Sequence, residues 1–187
     1  MTRSTTPSQT VGPFLSIGMT WEHGPFVVPD ATPGSFWIRG RLFDGAGDPV
    51  PDGVIETWQA DPAGGFAHAA PPLEYADQGF RGFGRSLTGA DGAYGILTVK
   101  PGRVHDGHDG WQAPHLDVSV FARGLLHRVV TRIYFGDELQ ANAQDPVLRA
   151  LPDDRARATL IAQPDLAGGY TLDISLQGDH ETVFFAV

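Results

Sequence analysis

The sequence contains no cysteine and little positive charge, and both shortages restrict what the protein can do. Without cysteine, the chain forms no disulfide, no thiolate zinc site and no iron–sulfur cluster. Its 13 Lys and Arg residues stand against 22 Asp and Glu residues, a formal net charge of −9. Nucleic acids and anionic membranes both bind basic faces, so the composition argues against partners of either kind.

Long hydrophobic runs and several common catalytic motifs are also missing. No apolar run reaches the roughly 18 residues of a membrane-spanning helix. The opening MTRSTTPSQT lacks the apolar stretch of a secretory leader, so we expect a soluble, cytoplasmic protein by default. No G-x-S-x-G elbow, G-x-G-x-x-G turn or phosphate-binding loop follows a strand-like segment.

Glycine and proline, by contrast, are abundant. The chain has 24 Gly and 15 Pro among 187 residues, so these two residue types together make up about 21% of the sequence. This fraction is above the usual ~12% and below the ~25–30% typical of disordered chains. This excess favours many short strands joined by turns. We expect one domain over residues 1–187, in which residues 1–35, rich in Pro, Gly, Ser and Thr, form an extended arm.

Strand-like segments recur after residue 35, whereas residues 61–92 read mostly as loop. The segments are 36–43, 54–60, 88–102, 115–122, 127–135, 170–178 and 182–187. One helical excursion is predicted over 145–162, where Asp145 caps the start and Pro152 interrupts the run. This pattern predicts an all-β sandwich or barrel with long loops.

A histidine and an aspartate stand two residues apart in QAPHLDVSVFA. Because residues i and i+2 of a strand share a face, His115 and Asp117 should project side by side. In the commoner interpretation, His115 donates to a loop carbonyl and Asp117 accepts from a neighbour. The alternative is the H-x-D…H triad of Fe(II) oxygenases, with His180 as the distal ligand. After His180 the chain reads ETVFFAV, without the basic residue that normally holds the co-substrate of those enzymes.

An arginine lies within the predicted strand RVVTRIYF. Arg132 shares a strand face with Arg128, Val130 and Tyr134. An exposed ion pair at this position would contribute only ~0–1 kcal/mol. An anion-holding group that faces a cleft would contribute several kcal/mol. The spacing of the residues leaves both interpretations open.

Six segments, in this order and spacing, resemble the intradiol ring-cleaving dioxygenases, and the resemblance extends from Thr6 to Phe185. They are TPSQTVGPF, GRLFDGAGDPVPDGVIETWQAD, FGRSLTGADGAYGILTVKPG, APHLDVSVFARG, TRIYFGDELQANAQDPVL and GDHETVFF. Within this family, the chain resembles the alpha chains of members that act on 3,4-dihydroxybenzoate. The resemblance implies a β-sandwich of two sheets and a related beta chain as partner in a hetero-oligomer.

The resemblance also implies a reaction and a cofactor. Both atoms of O2 are inserted between the two hydroxylated carbons of 3,4-dihydroxybenzoate, which gives 3-carboxy-cis,cis-muconate in the beta-ketoadipate pathway of aromatic catabolism. Non-haem Fe(III), held in this family by two tyrosines and two histidines, binds the catecholate and activates it toward O2.

By the same resemblance, this chain retains at most half of the iron ligands. His115 matches the first histidine of the family's H-x-H strand, and Asp117 stands in place of the second. Val104 replaces one ligand tyrosine, and Tyr75 is the only candidate for the other. The resemblance therefore implies a vestigial site without metal, so that the Fe(III) is bound by the beta subunit.

The resemblance gives this chain a role at its partner's site instead. Thr10, Gly12 and Pro13, with Phe14 beside them, match an arm segment that helps to wall the beta chain's active site, which implies that they bind substrate there. Arg132 matches an arginine that reaches the same site. Arg132 would be catalytic and substrate-binding, favouring the anionic substrate or negative charge that develops on bound oxygen. For the arm, a mere tether across the dimer interface is the alternative. A non-catalytic β-sandwich binding module is the remaining rival for the whole chain.

Overall fold

The computed structural model of the chain describes residues 7–12, 14–66, 79–108 and 110–186, which form mostly β-strands. Pro13 and Tyr75, singled out above, lie outside the described residues. In chain order, the strands are β1 (Phe36–Phe43), β2 (Val54–Gln59), β3 (Phe83–Leu87), β4 (Ala93–Thr98), β5 (Val104–His105), β6 (Trp111–Gln112), β7 (His115–Phe121), β8 (Val129–Phe135), β9 (Ile161–Pro164), β10 (Tyr170–Thr171) and β11 (Ile174–Ser175). The helices are α1 (Phe14–Gly18), α2 (Leu139–Gln144), α3 (Pro146–Ala150) and α4 (Asp154–Ala158).

Two layers of strands make up the fold. In the first layer, β4 runs antiparallel to β1, and β10 and β11 each pair with β1 in the parallel orientation. The second layer runs in the order β3–β2–β7–β8, with antiparallel neighbours throughout. Strand β9 joins the layers, because its first half pairs with β8 and its second half with β10. The predicted all-β sandwich is confirmed.

Alternation along β7 fixes which side chains face the interior. Leu116, Val118 and Val120 are buried and pack with Ile38 and Leu42 of the opposite layer. Each such side chain contributes roughly 1.5–3 kcal/mol when it is fully buried. A shift of one residue would expose all of them, so the core holds the register and fixes what lies on the solvent side.

Strand β3 lies within the segment 61–92, which the sequence predicts to be mostly loop, and this short strand is not among the predicted ones. Gly84 explains the missed strand, because glycine weakens a strand signal. A Cβ atom on Gly84 would lie 2.9 Å from both Thr57 Oγ1 and Val27 Cγ2. Close packing therefore requires the residue that hides the strand in the sequence.

The segment 145–162, predicted as one helical excursion, contains the two short helices α3 and α4 and the start of strand β9. Asp145 caps α3 as expected, accepting hydrogen bonds from the amides of Val147 and Leu148, each at 2.9 Å. The segment ends in strand β9 rather than in helix, because Ile161 pairs with β8. Helix α2 was not predicted, and its first flanking residue, Glu138, makes no side-chain cap. None of the helices in the described part of the chain is long and apolar enough to cross a membrane.

The segment predicted as an extended arm contains two ordered features. Residues Phe14–Gly18 form the short helix α1. Further on, Val27 and Val28 are buried, and the amide of Val27 donates to the carbonyl of Leu97 at 2.9 Å. The end of the arm is therefore anchored in the sandwich by apolar burial.

Candidate functional site

The solvent-side face of the second layer carries most of the predicted site. Strand pairing places Trp58 opposite Asp117, and Asp117 opposite Arg132. Directly paired residues share a face, so these three side chains form a row across β2, β7 and β8. We call the surface that bears this row the outer face.

Arg132 is held along one edge of its guanidinium group. Its Nε donates to Asp117 Oδ1 at 2.8 Å. Its Nη1 donates to Gln112 Oε1 at 2.7 Å and to the Tyr134 hydroxyl at 3.2 Å. Within the described ranges, Nη2 has no hydrogen-bond partner. The arginine side chain is 19% exposed and that of Asp117 40%, so the pair is open to a further ligand from one side.

Burial and charge shift the pKa values of this cluster. Burial works to lower the pKa of Arg132, but interactions with Tyr134 and Asp117 outweigh it and raise that pKa. Burial raises the pKa of Tyr134 well above its usual value. The arginine is therefore always charged and the tyrosine always neutral at physiological pH.

His115 is buried beside this pair. Its Nδ1 lies 2.7 Å from the carbonyl oxygen of Ala113, to which the neutral ring donates. Its Nε2 lies 3.9 Å from Asp117 Oδ1, the oxygen that also accepts from Arg132. Burial, and then the charge of Arg132, lower the pKa of His115. Both residues thus have the contacts expected in the commoner interpretation of the H-x-D pair.

Val104 is connected to the same cluster through Gln112. It stands in β5 opposite Gln112 of β6, and Gln112 is the acceptor for Arg132. The β5–β6 hairpin therefore sets the position of Gln112. The aliphatic side chain of Val104 supplies no metal donor.

Few donors for ferric iron are present at the described positions of this cluster, where Val104 has none and Asp117 is bound by Arg132. The described residues include no group of three or more His, Cys, Asp or Glu side chains arranged to hold a metal ion. His115 and Asp117 are engaged as above, and a guanidinium cation binds the Asp117 carboxylate. A hard trivalent ion depends on anionic oxygen donors, and this arrangement supplies one that is already neutralised. Tyr75, the remaining candidate ligand, is outside the described residues.

The Fe(II) triad of the alternative hypothesis is not assembled either. His180 lines a surface groove with Asp153 and Arg155, next to α4. It forms no metal-holding group with His115 and Asp117, all three of which the structure describes. The H-x-D…H interpretation is therefore wrong for this chain.

The sequence did not predict the buried hydrogen bonds that lie beneath Arg132 and Tyr134. The buried carboxylate of Asp145 accepts from the amide of Ala113 at 2.7 Å and from the Tyr134 hydroxyl at 3.3 Å. Its capping role was readable from the proline that follows it. Its contacts with Ala113 and Tyr134 join distant parts of the chain, and no local pattern signals them. Gln112 was likewise missed, although it stands only three residues before His115.

The arm residues lie at the other end of the β7–β8 hairpin. Thr10 Oγ1 accepts a hydrogen bond of 2.8 Å from the amide of Gly124, which forms the turn with φ +91°. Phe14 is 78% exposed. Asp117 is five residues before Ala122, where this turn begins, so about 17 Å of strand separates the turn that Thr10 contacts from the Arg132 pair. Within one chain, therefore, the structure does not bring Thr10 together with Arg132.

The arm then crosses toward β3 on the outer face. Trp21 stacks on Phe83 with ring centroids 6.2 Å apart, and the Arg85 guanidinium lies 4.6 Å from the Trp21 ring. Arg85 also donates to Glu56 at 2.7 Å through Nε and to the carbonyl of Met19 at 3.3 Å through Nη1. The outer face thus bears two arginine–carboxylate pairs, one under the arm and one at the predicted site.

Comparison with known proteins shows which family the chain belongs to. A sequence profile of a family described as "Dioxygenase" matches residues 12–178. The protocatechuate 3,4-dioxygenase alpha chain of Burkholderia cepacia is 40% identical, over 97% of this chain and 97% of that one. The beta chain of the enzyme from the same species is 36% identical, over 78% of this chain and 65% of its own length. The dioxygenase domain of a carbohydrate-binding fusion protein from Streptomyces sp. SirexAA-E has a similar structure, with a TM-score of 0.58 and 25% identity over 92% of this chain and 99% of that one.

Proposed function

The chain belongs to the intradiol dioxygenase family, and on that premise we propose that it is the alpha subunit of a protocatechuate 3,4-dioxygenase. The observation that carries the proposal is the 40% identity to an alpha chain over 97% of both sequences. The lower identity and coverage of the related beta chain fit an alpha rather than a beta role. The substrate is then 3,4-dihydroxybenzoate, and its aromatic ring is opened by O2 between the two hydroxylated carbons.

The Fe(III) of this enzyme belongs, in our proposal, to the partner beta subunit. The family uses non-haem Fe(III) bound by tyrosine and histidine side chains. In this chain, Val104 carries no donor and Asp117 is neutralised by Arg132. These two substitutions support a subunit that acts on the reaction without holding the metal itself.

Arg132 contributes positive charge to the partner's site. Its side chain is mostly buried and always charged, and its Nη2 has no partner among the described residues. Such a donor suits a carboxylate, because a guanidinium nitrogen and a carboxylate oxygen form a charge-assisted hydrogen bond. The carboxylate of 3,4-dihydroxybenzoate is the anion that distinguishes this substrate from unsubstituted catechol.

The arm forms a second contact with the beta subunit, through Thr10, Gly12, Pro13 and Phe14. A Cβ atom on Gly12 would meet nothing within 4 Å, and no positive φ requires glycine there. Glycine at position 12 leaves this open backbone accessible, which suits a partner or ligand that approaches it closely. Phe14 is 78% exposed in the chain alone and would be buried by such a partner.

Co-expression with a beta chain of the same family tests the proposal. We expect a stable alpha–beta complex that consumes O2 when 3,4-dihydroxybenzoate is added, and no activity from this chain alone. Catechol, which lacks the carboxylate, is the matched control substrate and should react with a lower kcat/KM. If no complex forms with any beta chain, the proposal fails and a binding module becomes the better account.

A further inference from the structure

We infer that Asp117 and Gln112 are positioning residues, which hold the Arg132 guanidinium in place and leave its Nη2 available to the substrate's anionic group. The inference rests on the proposed function of Arg132 at the partner's site. The question is which contacts hold the Arg132 guanidinium in the orientation in which Nη2 can bind the substrate.

The contacts of Arg132 divide its nitrogens into two sets. Nε is bound by Asp117 Oδ1 at 2.8 Å, and Nη1 by Gln112 Oε1 at 2.7 Å. A free arginine side chain loses up to about 2 kcal/mol of rotamer entropy when it is fixed. Anchoring two of the three nitrogens removes that cost before the substrate arrives, which is how a preorganised donor gains its effect.

Both anchors are themselves held by the fold. Asp117 is directly opposite Arg132 in the antiparallel β7–β8 pair, whose register the core fixes. Gln112 is held in the β5–β6 hairpin by its pairing with Val104. An arginine supported by two separate elements cannot swing away without breaking both hydrogen bonds.

The inference also explains the aspartate at position 117, where the family resemblance expects a histidine. An ionised carboxylate accepts hydrogen bonds through both oxygens and balances the charge of a mostly buried guanidinium. A neutral imidazole does only part of this, and a protonated one repels Arg132. Replacement of the histidine thus changes a metal-binding position into an anchor for the arginine.

A double-mutant cycle in the co-expressed alpha–beta complex tests this inference. We expect Asp117→Ala to lower kcat/KM about 10-fold, chiefly through a higher KM, and Arg132→Ala to lower it about 100-fold. The double variant should match Arg132→Ala alone, because the aspartate acts through the arginine. Asp117→Asn keeps an acceptor oxygen and should recover part of the loss, and Gln112→Ala should produce a smaller loss of the same kind.

The chain offers a matched control in the pair of Lys100 and Asp137. Their Nζ and Oδ2 atoms are 2.6 Å apart, and the side chains are 27% and 45% exposed, close to the values for Arg132 and Asp117. Asp137→Ala should leave kcat/KM within about twofold. Thermal melting and size-exclusion elution of each complex confirm that the variants are folded and assembled.

Two results would overturn the inference, and they are distinguishable. If Asp117→Ala has the same effect with and without Arg132, or no effect at all, the aspartate does not act through the arginine, and the proposed function stands without it. If Arg132→Ala itself changes kcat/KM by less than about twofold, the role proposed for Arg132 fails and the inference fails with it.

Discussion

The outer face carries two arginine–carboxylate pairs that look alike but use their arginines differently. Arg85 has all three guanidinium nitrogens engaged, since Nε and Nη2 bind Glu56 and Nη1 binds the carbonyl of Met19. Arg132 binds Asp117 and its neighbours through Nε and Nη1 only. The first arginine is saturated by its own chain, whereas the second retains donor capacity.

This difference separates a structural arginine from one suited to an external ligand. Arg85 also lies over the rings of Trp21 and Phe83, at 4.6 and 5.4 Å from their centroids, so the arm covers it. We propose that Arg132 instead faces the partner's active site, and its Nη2 has no hydrogen-bond partner among the described residues.

The largest effect on catalysis should follow from Arg132→Ala. In the alpha–beta complex, kcat/KM should fall about 100-fold, because one oriented charged donor is lost. Steady-state O2 consumption measures it. Arg132→Lys keeps the charge without the forked geometry and should recover only part of the loss. A change of less than about twofold would assign Arg132 to a structural role.

Arg85→Ala should act on stability instead. It leaves the mostly buried Glu56 carboxylate and the Met19 carbonyl without their donor, and hydrogen bonds to charged groups contribute about 1.5–3 kcal/mol. We expect the free energy of unfolding, measured by urea denaturation, to fall by roughly that amount. The kcat/KM of the folded complex should change little. A loss of kcat/KM as large as that for Arg132→Ala would erase the distinction between the pairs.

Gly12→Val tests whether the arm faces a partner. In the chain alone, its melting temperature should be unchanged, because a Cβ atom at position 12 has open space. In the complex, an added side chain at a tight contact costs about 1–3 kcal/mol, so we expect the affinity for the beta chain or for substrate to fall roughly 10-fold. Gly18, which also has open space, provides the control substitution Gly18→Val. Equal results for the two variants would contradict a specific role for Gly12.

The smallest predicted effect is on the pH dependence of stability. Burial lowers the pKa of His115 below its usual 6.5, so the unfolded chain takes up a proton at a higher pH than the folded one. The contribution to stability is therefore complete above pH 6.5 and decreases as the pH falls below that value toward the folded pKa. Urea denaturation at pH 7.5 and at pH 5.5 measures it, and His115→Gln should remove this part of the dependence. If stability rises as the pH falls in the parent chain and not in the variant, the sign is wrong.

The sequence predicted some parts of this structure better than others, for physical reasons. The alternation in HLDVSVFA and the Asp145–Pro146 cap are local patterns, and both predict the observed elements. Strand β3 was missed because Gly84 satisfies a packing constraint from other strands. The contact of Arg132 with Gln112 joins β8 to a short hairpin, and the contact of Tyr134 with Asp145 joins it to a helix cap. Such contacts depend on the whole topology and leave no local signal.

The iron content of the isolated chain and of the complex decides whether the metal belongs to the beta subunit. We would purify this chain alone and together with a beta chain, and measure the iron content and the visible spectrum of each. We expect no stoichiometric iron and no tyrosinate–iron charge-transfer band in the isolated chain, with both present in the complex. Stoichiometric iron and a coloured solution of the isolated chain would contradict this expectation.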